Sequence, residues 1–442
     1  MRAAYRLYRL IQRRTVKAAA PQQMTARLAV VAFATTTALL LIVLGGVSAF
    51  RERAEGVPSD DLDSQYPVLA VTAAILLVIP LVALGGSAAR LAVSRRDARL
   101  AALRLVGATT PQVTAIAFLE SVVQGVLGAA FGVVGYVVLI PVVALVRFQG
   151  RAFDLDELWV GPLVLAATVL AVMALAAVSS LVSLARVAIT PLGVANRHSP
   201  LGPTWLRAAL LAVALLAWIL VSRSSGAEVT TLLVVLGLVF GAVSVAGPFV
   251  MWCVGRWTVH RATDVPTLLA GRRILDDPKS AWRTVGGVCL TAFVATLACT
   301  MQTFGTNDAD TAEEARYFTD LATGAYLTVA IAGLLAAVST GVVQSARVID
   351  QRREYRMLAL AGTDTAILDR ARAAEVRIPL RAGLVVALLS ATIFLVPLSV
   401  GFFSNPMPTV QLAASLTVAV ALVLIGAATA RPVLRSVLAR TD

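Results

Sequence analysis

Charge is what this sequence is short of. Only 14% of its 442 residues are charged, where a soluble domain carries about a quarter, so water is not its main solvent. Lysine is almost missing: Lys17 follows Val16 and Lys279 follows Pro278. A GxxxxGK[ST] loop needs lysine after glycine, so ATP hydrolysis by that route is excluded. Histidine is confined to His198 and His260, which supports neither an HExxH metal pair nor a histidine-based triad. Three dispersed cysteines, Cys253, Cys289 and Cys299, suit neither a disulfide framework nor a zinc site. No catalytic, metal or cofactor constellation emerges, and the chain is read as a non-enzyme.

What is there is apolar. Hydrophobic residues make up 58% of the chain and the mean hydropathy is +0.83. The apolar runs recur along its whole length, so a cleaved signal peptide ahead of a soluble domain does not fit. A spanning helix needs about 20 mostly apolar residues, and ten runs meet that criterion. They lie near 26–50, 67–89, 112–146, 160–185, 206–222, 229–254, 284–304, 321–346, 376–402 and 409–430. Lipid offers no water to open backbone groups, and the runs are too long for barrel strands. The expected fold is an all-α polytopic membrane protein.

The formal charge of +13 has an explanation other than nucleic acid. Basic residues resist translocation and collect in cytoplasmic loops. With the N-terminus inside, arginines cluster around residues 90–104, 186–207, 256–283, 347–372 and 431–440, while the intervening loops are acidic, as at Glu52, Asp61, Asp308 and Glu313. That alternation predicts cytoplasmic N- and C-termini, with residues 1–25 as a basic, amphipathic cytoplasmic leader. Nucleic acid is not needed to account for the charge.

The layout occurs twice. The basic segment from Arg90 to Glu120 carries Leu103, Leu105, Gly107 and Glu120, and the segment from Arg347 to Glu375 carries Leu358, Leu360, Gly362 and Glu375 at positions 255 later. Each sits between the second and third of four apolar runs. This predicts a first repeat over 26–195, a linker with two spans over 196–280 and a second repeat over 281–442, both crossing the membrane in the same direction. Small residues at helical spacing, Gly125, Gly128, Gly132 and Gly135, then Gly237 and Gly241, then Gly333, Ala337 and Gly341, mark close-packed faces.

Glu120 and Glu375 stand in apolar runs, where a charge is costly and tends to be paired or functional. The favoured reading is a structural latch that fixes each basic segment, with Arg104 or Arg372 as partner; the alternative is a proton or substrate site. Elsewhere the runs hold almost no ionisable groups, which argues against a proton- or sodium-coupled carrier.

The pattern LRLVGAT from Leu103 to Thr109 followed by Glu120, and more loosely LALAGTD from Leu358 to Asp364 followed by Glu375, resembles FtsX/MacB-type ABC transporter permeases. The second copy has Thr363 where the family pattern has alanine. Arg186 with Pro191, and Arg431 with Pro432, are similar to the basic turn that closes the family's domains. The resemblance implies a plasma-membrane, bacterial ABC permease without its own nucleotide site, ATP being bound by a partner ATPase, one copy for each repeat. Residues Arg95, Arg96, Arg99, Leu103 and Gly107, with Arg352, Arg353, Arg356, Leu358 and Gly362, would form the ATPase-coupling elements. Tandem copies resemble the peptide-antibiotic resistance branch, but the outer loops here are short and acidic. Capture of a large outside partner is therefore disfavoured, and an amphipathic peptide, drug or lipid entering from the bilayer is the expected cargo. Alternatives are an ATPase-driven mechanotransmission protein and an ATP-independent secondary carrier.

Overall fold

The computed structural model describes residues 20–58, 61–94, 109–189, 205–224, 229–307, 311–350, 357, 360–395 and 406–428. Its helices are α1 (Ala20–Arg53), α2 (Tyr66–Ser94), α3 (Thr110–Ala144), α4 (Gly161–Ile189), α5 (Leu206–Ser222), α6 (Val229–Arg261), α7 (Val265–Asp276), α8 (Pro278–Asn307), α9 (Ala312–Asp350), α10 (Thr365–Leu395) and α11 (Pro406–Ala428). Within the described residues, each of the ten apolar runs overlaps one of these helices. Among the described residues, seven helices are long and apolar enough to cross a membrane: α1, α2, α3, α4, α6, α9 and α10. Two more, α5 and the part of α11 from Ala413 to Ala428, are shorter apolar helices. The chain is thus an all-α protein fit to span a membrane several times.

Two details depart from the expected string. The loop expected after Gly305 is mostly helix, because Thr311 and Glu314 form a reciprocal cap: Glu314 N donates to Thr311 Oγ1 at 3.2 Å and Thr311 N donates to Glu314 Oε2 at 3.3 Å. That arrangement satisfies two otherwise orphaned donors and starts α9 early. Between α3 and α4 lies a two-stranded antiparallel hairpin, β1 (Arg147–Phe148) and β2 (Arg151–Ala152). Its turn residues Gln149 and Gly150 have φ of 56° and 77°, the left-handed pair that a two-residue hairpin requires.

The chain divides into two compact units, one of residues 1–49, 81–146 and 153–197, the other of 50–80, 147–152 and 198–442. In the first, α3 lies against α1 through its glycine stripe. A Cβ on Gly132 would stand 2.5 Å from Thr37 Cβ and 2.7 Å from Ala34 O, and one on Gly135 would stand 3.3 Å from Ala38 Cβ. Thr36 and Thr37 donate back to Ala32 O and Phe33 O, each at 2.8 Å, so the buried hydroxyls need nothing from the neighbouring helix. The opposite face of α3, with Phe131, Val134, Val138 and Val142, is exposed, as lipid solvation allows.

In the second unit α8 is the enclosed helix. From Ala281 to Thr296 most described side chains are buried, and Met251, Trp282, Val285, Val288, Cys289, Ala336, Leu380 and Val423 form one core around it. Thr340 Oγ1 crosses from α9 to donate to Thr284 O at 2.7 Å, Gly287 abuts Ala336 and Gly383 of α10 abuts Cys289. Of the stripes expected from sequence, Gly237 meets only Ile75 at 3.9 Å and Gly241 meets nothing within 4 Å. The close approach on α6 falls instead at Gly247, which lies under the Trp282 ring. A glycine's spacing marks a possible face, but a neighbour of the right shape decides whether it is used.

Replacing Gly132 by valine forces α3 off α1 and should lower stability by about 1–3 kcal/mol, read as earlier thermal unfolding in detergent. Gly241→Ala should be within about 0.5 kcal/mol of the parent. Equal effects from the two would contradict this packing.

Candidate functional site

Beyond Asp350, where α9 ends, the second basic segment returns to the described structure at Met357. Ala361 N donates to Met357 O at 2.9 Å, closing a helical turn, and Gly362 follows with φ of 84°. A left-handed residue just past a helical turn is where glycine is favoured, since a Cβ there is strained. The motif glycine therefore has a local reason. Asp364 then starts α10: its Oδ1 accepts from Ala366 N at 3.0 Å and its carbonyl accepts from Leu368 N. At positions 255 earlier, Thr109 precedes α3 and its N–H donates to Gln112 Oε1 at 3.1 Å, so α3 and α10 begin in the same register. Met357 and Leu360 are 57% and 78% exposed, leaving apolar side chains uncovered on a basic segment.

Glu375 lies nearly three turns into α10 and is 4% exposed. Its Oε1 is 3.4 Å from Arg273 Nη1, so the partner is Arg273 rather than the expected Arg372; Arg372 is itself buried and meets Asp369 at 3.9 Å. Arg273 is delivered by α7, a short amphipathic helix that was expected only as linker. Asp264 caps α7 by accepting from Thr267 N at 3.3 Å, and Pro266 fits its first turn, where no N–H is needed. Its buried side, Ala270, Gly271 and Ile274, packs on α6: Gly271 lies against Thr258 and Val259, and Gly255 against Ile274 and Leu275. An Asp, then Pro, then apolar residues at helical spacing was the signal that sequence reading passed over.

Beside this pair the start of α8 holds a second polar group. Asp277 Oδ1 accepts from Ser280 N at 3.0 Å, and Arg347 Nε donates to Ser280 Oγ at 3.2 Å. Burial lowers the pKa of the nearby Arg283 guanidinium, Asp277 opposes that effect and Arg347 adds to it; the group stays charged at physiological pH. Charge at this end of the bundle is thus tied between α7, α8, α9 and α10.

Of the other expected site residues, Glu120 is half-buried on α3. Arg95, Arg96, Arg99, Leu103, Gly107, Arg352, Arg353, Arg356 and Leu358 lie outside the described residues.

A further polar cluster, unforeseen from sequence, occupies the opposite end of the second unit. Asp320 is 7% exposed and its Oδ2 accepts from Tyr66 Oη and from Gln149 N, both at 2.7 Å. Tyr66 stacks on Phe50 and meets Tyr317 edge-on. Arg53 donates to Phe148 O at 3.2 Å and to Ala152 O at 3.0 Å, gripping the hairpin from its open side. Arg316 pairs with Asp63 at 3.3 Å. These contacts join residues up to 254 positions apart, which no local pattern announces.

No protein-family model and no curated protein matches this chain.

Removing one partner of a buried ion pair leaves the other charge stranded, at about 3–5 kcal/mol. Arg273→Ala should therefore destabilise strongly, while Arg273→Met combined with Glu375→Leu should recover most of the loss, read by thermal unfolding in a double-mutant cycle. At the other end, Asp320→Ala leaves two donors unmet at about 1–3 kcal/mol each, and Tyr66→Phe should cost less than Asp320→Ala in the same assay.

Proposed function

We propose that this chain is the permease subunit of an FtsX/MacB-like ABC transporter, coupling ATP hydrolysis by a separate ATPase chain to expulsion of an amphipathic or hydrophobic compound such as a peptide antibiotic, drug or lipid. In this reading it is a ten-span protein of a bacterial plasma membrane with both termini in the cytoplasm. It is built of two four-helix repeats that cross the membrane in the same direction, with α5 and α6 between them.

The observation that carries the reading is the junction at Gly362. A basic segment ends in a helical turn with Leu360 and Met357 uncovered, a left-handed glycine reverses it, and the helix that follows is tied through Glu375 to Arg273. Apolar anchors amid positive charge are suited to a groove on an ATPase, giving both affinity and register. The ion pair serves as a latch: a push on the coupling segment passes into α10 and α7 rather than bending a loose loop. Glu120 has the corresponding role in the first repeat.

The repeat reading is supported by a contact that recurs with the 255-residue spacing. Gly128 of α3 abuts Val30, Phe33 and Ala34 of α1, and Gly383 of α10 abuts Val285 and Cys289 of α8; Gly383, Val285 and Cys289 stand 255 positions after Gly128, Val30 and Ala34. Glu375 already has a structural partner in Arg273, which supports the latch over a secondary carrier.

The test is affinity purification of the tagged full chain from its native host in mild detergent. A P-loop ATPase should co-purify, one for each basic segment, and Leu360→Asp with Met357→Asp should reduce its recovery and its substrate-stimulated hydrolysis while leaving the permease folded. Absence of any ATPase after crosslinking, with loss of function from Glu375→Gln alone, would favour the carrier instead.

A further inference from the structure

Helix α10 has a second charged face, separate from the Glu375 pair. Arg370, Arg377 and Arg381 are all exposed and lie within about 40° of one another around the helix at 100° per residue. Arg377 and Arg381 are one turn apart, about 6 Å along the axis. Both fall within Ala366–Ile393, a stretch apolar enough to cross a membrane, and neither makes a hydrogen bond or ion pair among the described residues. One and two turns further along the same side stand Val385 and Leu389, 56% and 58% exposed. The exposed side of α10 thus changes from guanidinium to hydrocarbon within two turns.

An unpaired charge facing hydrocarbon is costly, so something must answer it. The fold does not demand these arginines. At positions 255 earlier α3 carries Val122 and Val126, and Val126 is 41% exposed, so an equivalent outward face is built without charge. Snorkelling to headgroup depth would place two fixed guanidinium forks beside lipid phosphates. The neighbouring Val385 and Leu389 would then lie along the acyl chain.

We propose that Arg377 and Arg381 form a binding site for an anionic phospholipid on the outward face of α10, the phosphate held by the two guanidinium groups and an acyl chain by Val385 and Leu389. Because α10 follows directly on the Gly362 junction and carries Glu375, a lipid held here is placed to steady the helix that continues the second basic segment. The site depends on α10 lying in a bilayer and not on the identity of the cargo or the motor.

The experiment is native mass spectrometry of the purified full chain, equilibrated in mixed micelles with equal phosphatidylglycerol and phosphatidylcholine. Wild type should retain phosphatidylglycerol preferentially, and Arg377→Gln with Arg381→Gln should cut that preference by roughly tenfold or more, given about 1 kcal/mol per basic residue near an anionic surface. Arg256→Gln with Arg261→Gln, exposed arginines that sit over Trp252 and Trp257, should keep it. Equal retention of the two lipids by wild type overturns the proposal, as does an undiminished preference in the Arg377/Arg381 variant. Release of phosphatidylglycerol by inorganic phosphate overturns the lipid assignment in favour of a plain anion site. If the double variant does not purify, Arg377→Lys with Arg381→Lys should retain part of the preference, and the wild-type selectivity still decides.

Discussion

The constraint on which this structure depends is that lipid solvates neither backbone nor charge. Each helix satisfies its own amides, so what remains is to bring helices together without the hydrophobic effect as a drive. Close approach at small residues does this: Gly132 against Thr37 in one unit, Gly287 against Ala336 and Gly383 against Cys289 in the other. Helix α8 is the extreme case. Enclosed by α6, α9, α10 and α11, it faces protein rather than lipid over most of its described length, and it tolerates threonines whose hydroxyls donate to carbonyls of their own helix, while the backbone carbonyl of Thr284 accepts the Thr340 hydroxyl from α9.

Charge follows the same constraint with three outcomes. Arg273, partly buried, is paired with the buried Glu375. Arg53 spends its donors on hairpin carbonyls. Arg377 and Arg381 lie exposed on α10, without a partner among the described residues. The first two fix elements that lie about a hundred residues apart in sequence; the third leaves a surface whose chemistry is set by what solvates it.

Much of the candidate site was legible where a local rule governed it. Gly362 was singled out by its motif, and the left-handed φ there gives the motif a steric reason. Glu375 was singled out by its cost in an apolar run, and it is buried and paired. The partner was not legible: Arg372 is nearby in sequence, yet Arg273 arrives from a helix 102 residues away. Likewise nothing local to Asp320 announces that this helical residue holds Tyr66 and the hairpin.

By itself the sequence determined that this protein is helical and membrane-suited, where its apolar helices fall, and that α3 and α10 start in the same register. Those properties depend on hydropathy, capping and backbone sterics within a few turns. Only the tertiary structure decided which glycines are used, Gly247 under Trp282 but not Gly241, and which charges meet. Helical periodicity tells a residue which side of its own helix it occupies, and the identity of the neighbour on that side is fixed only when the helices pack.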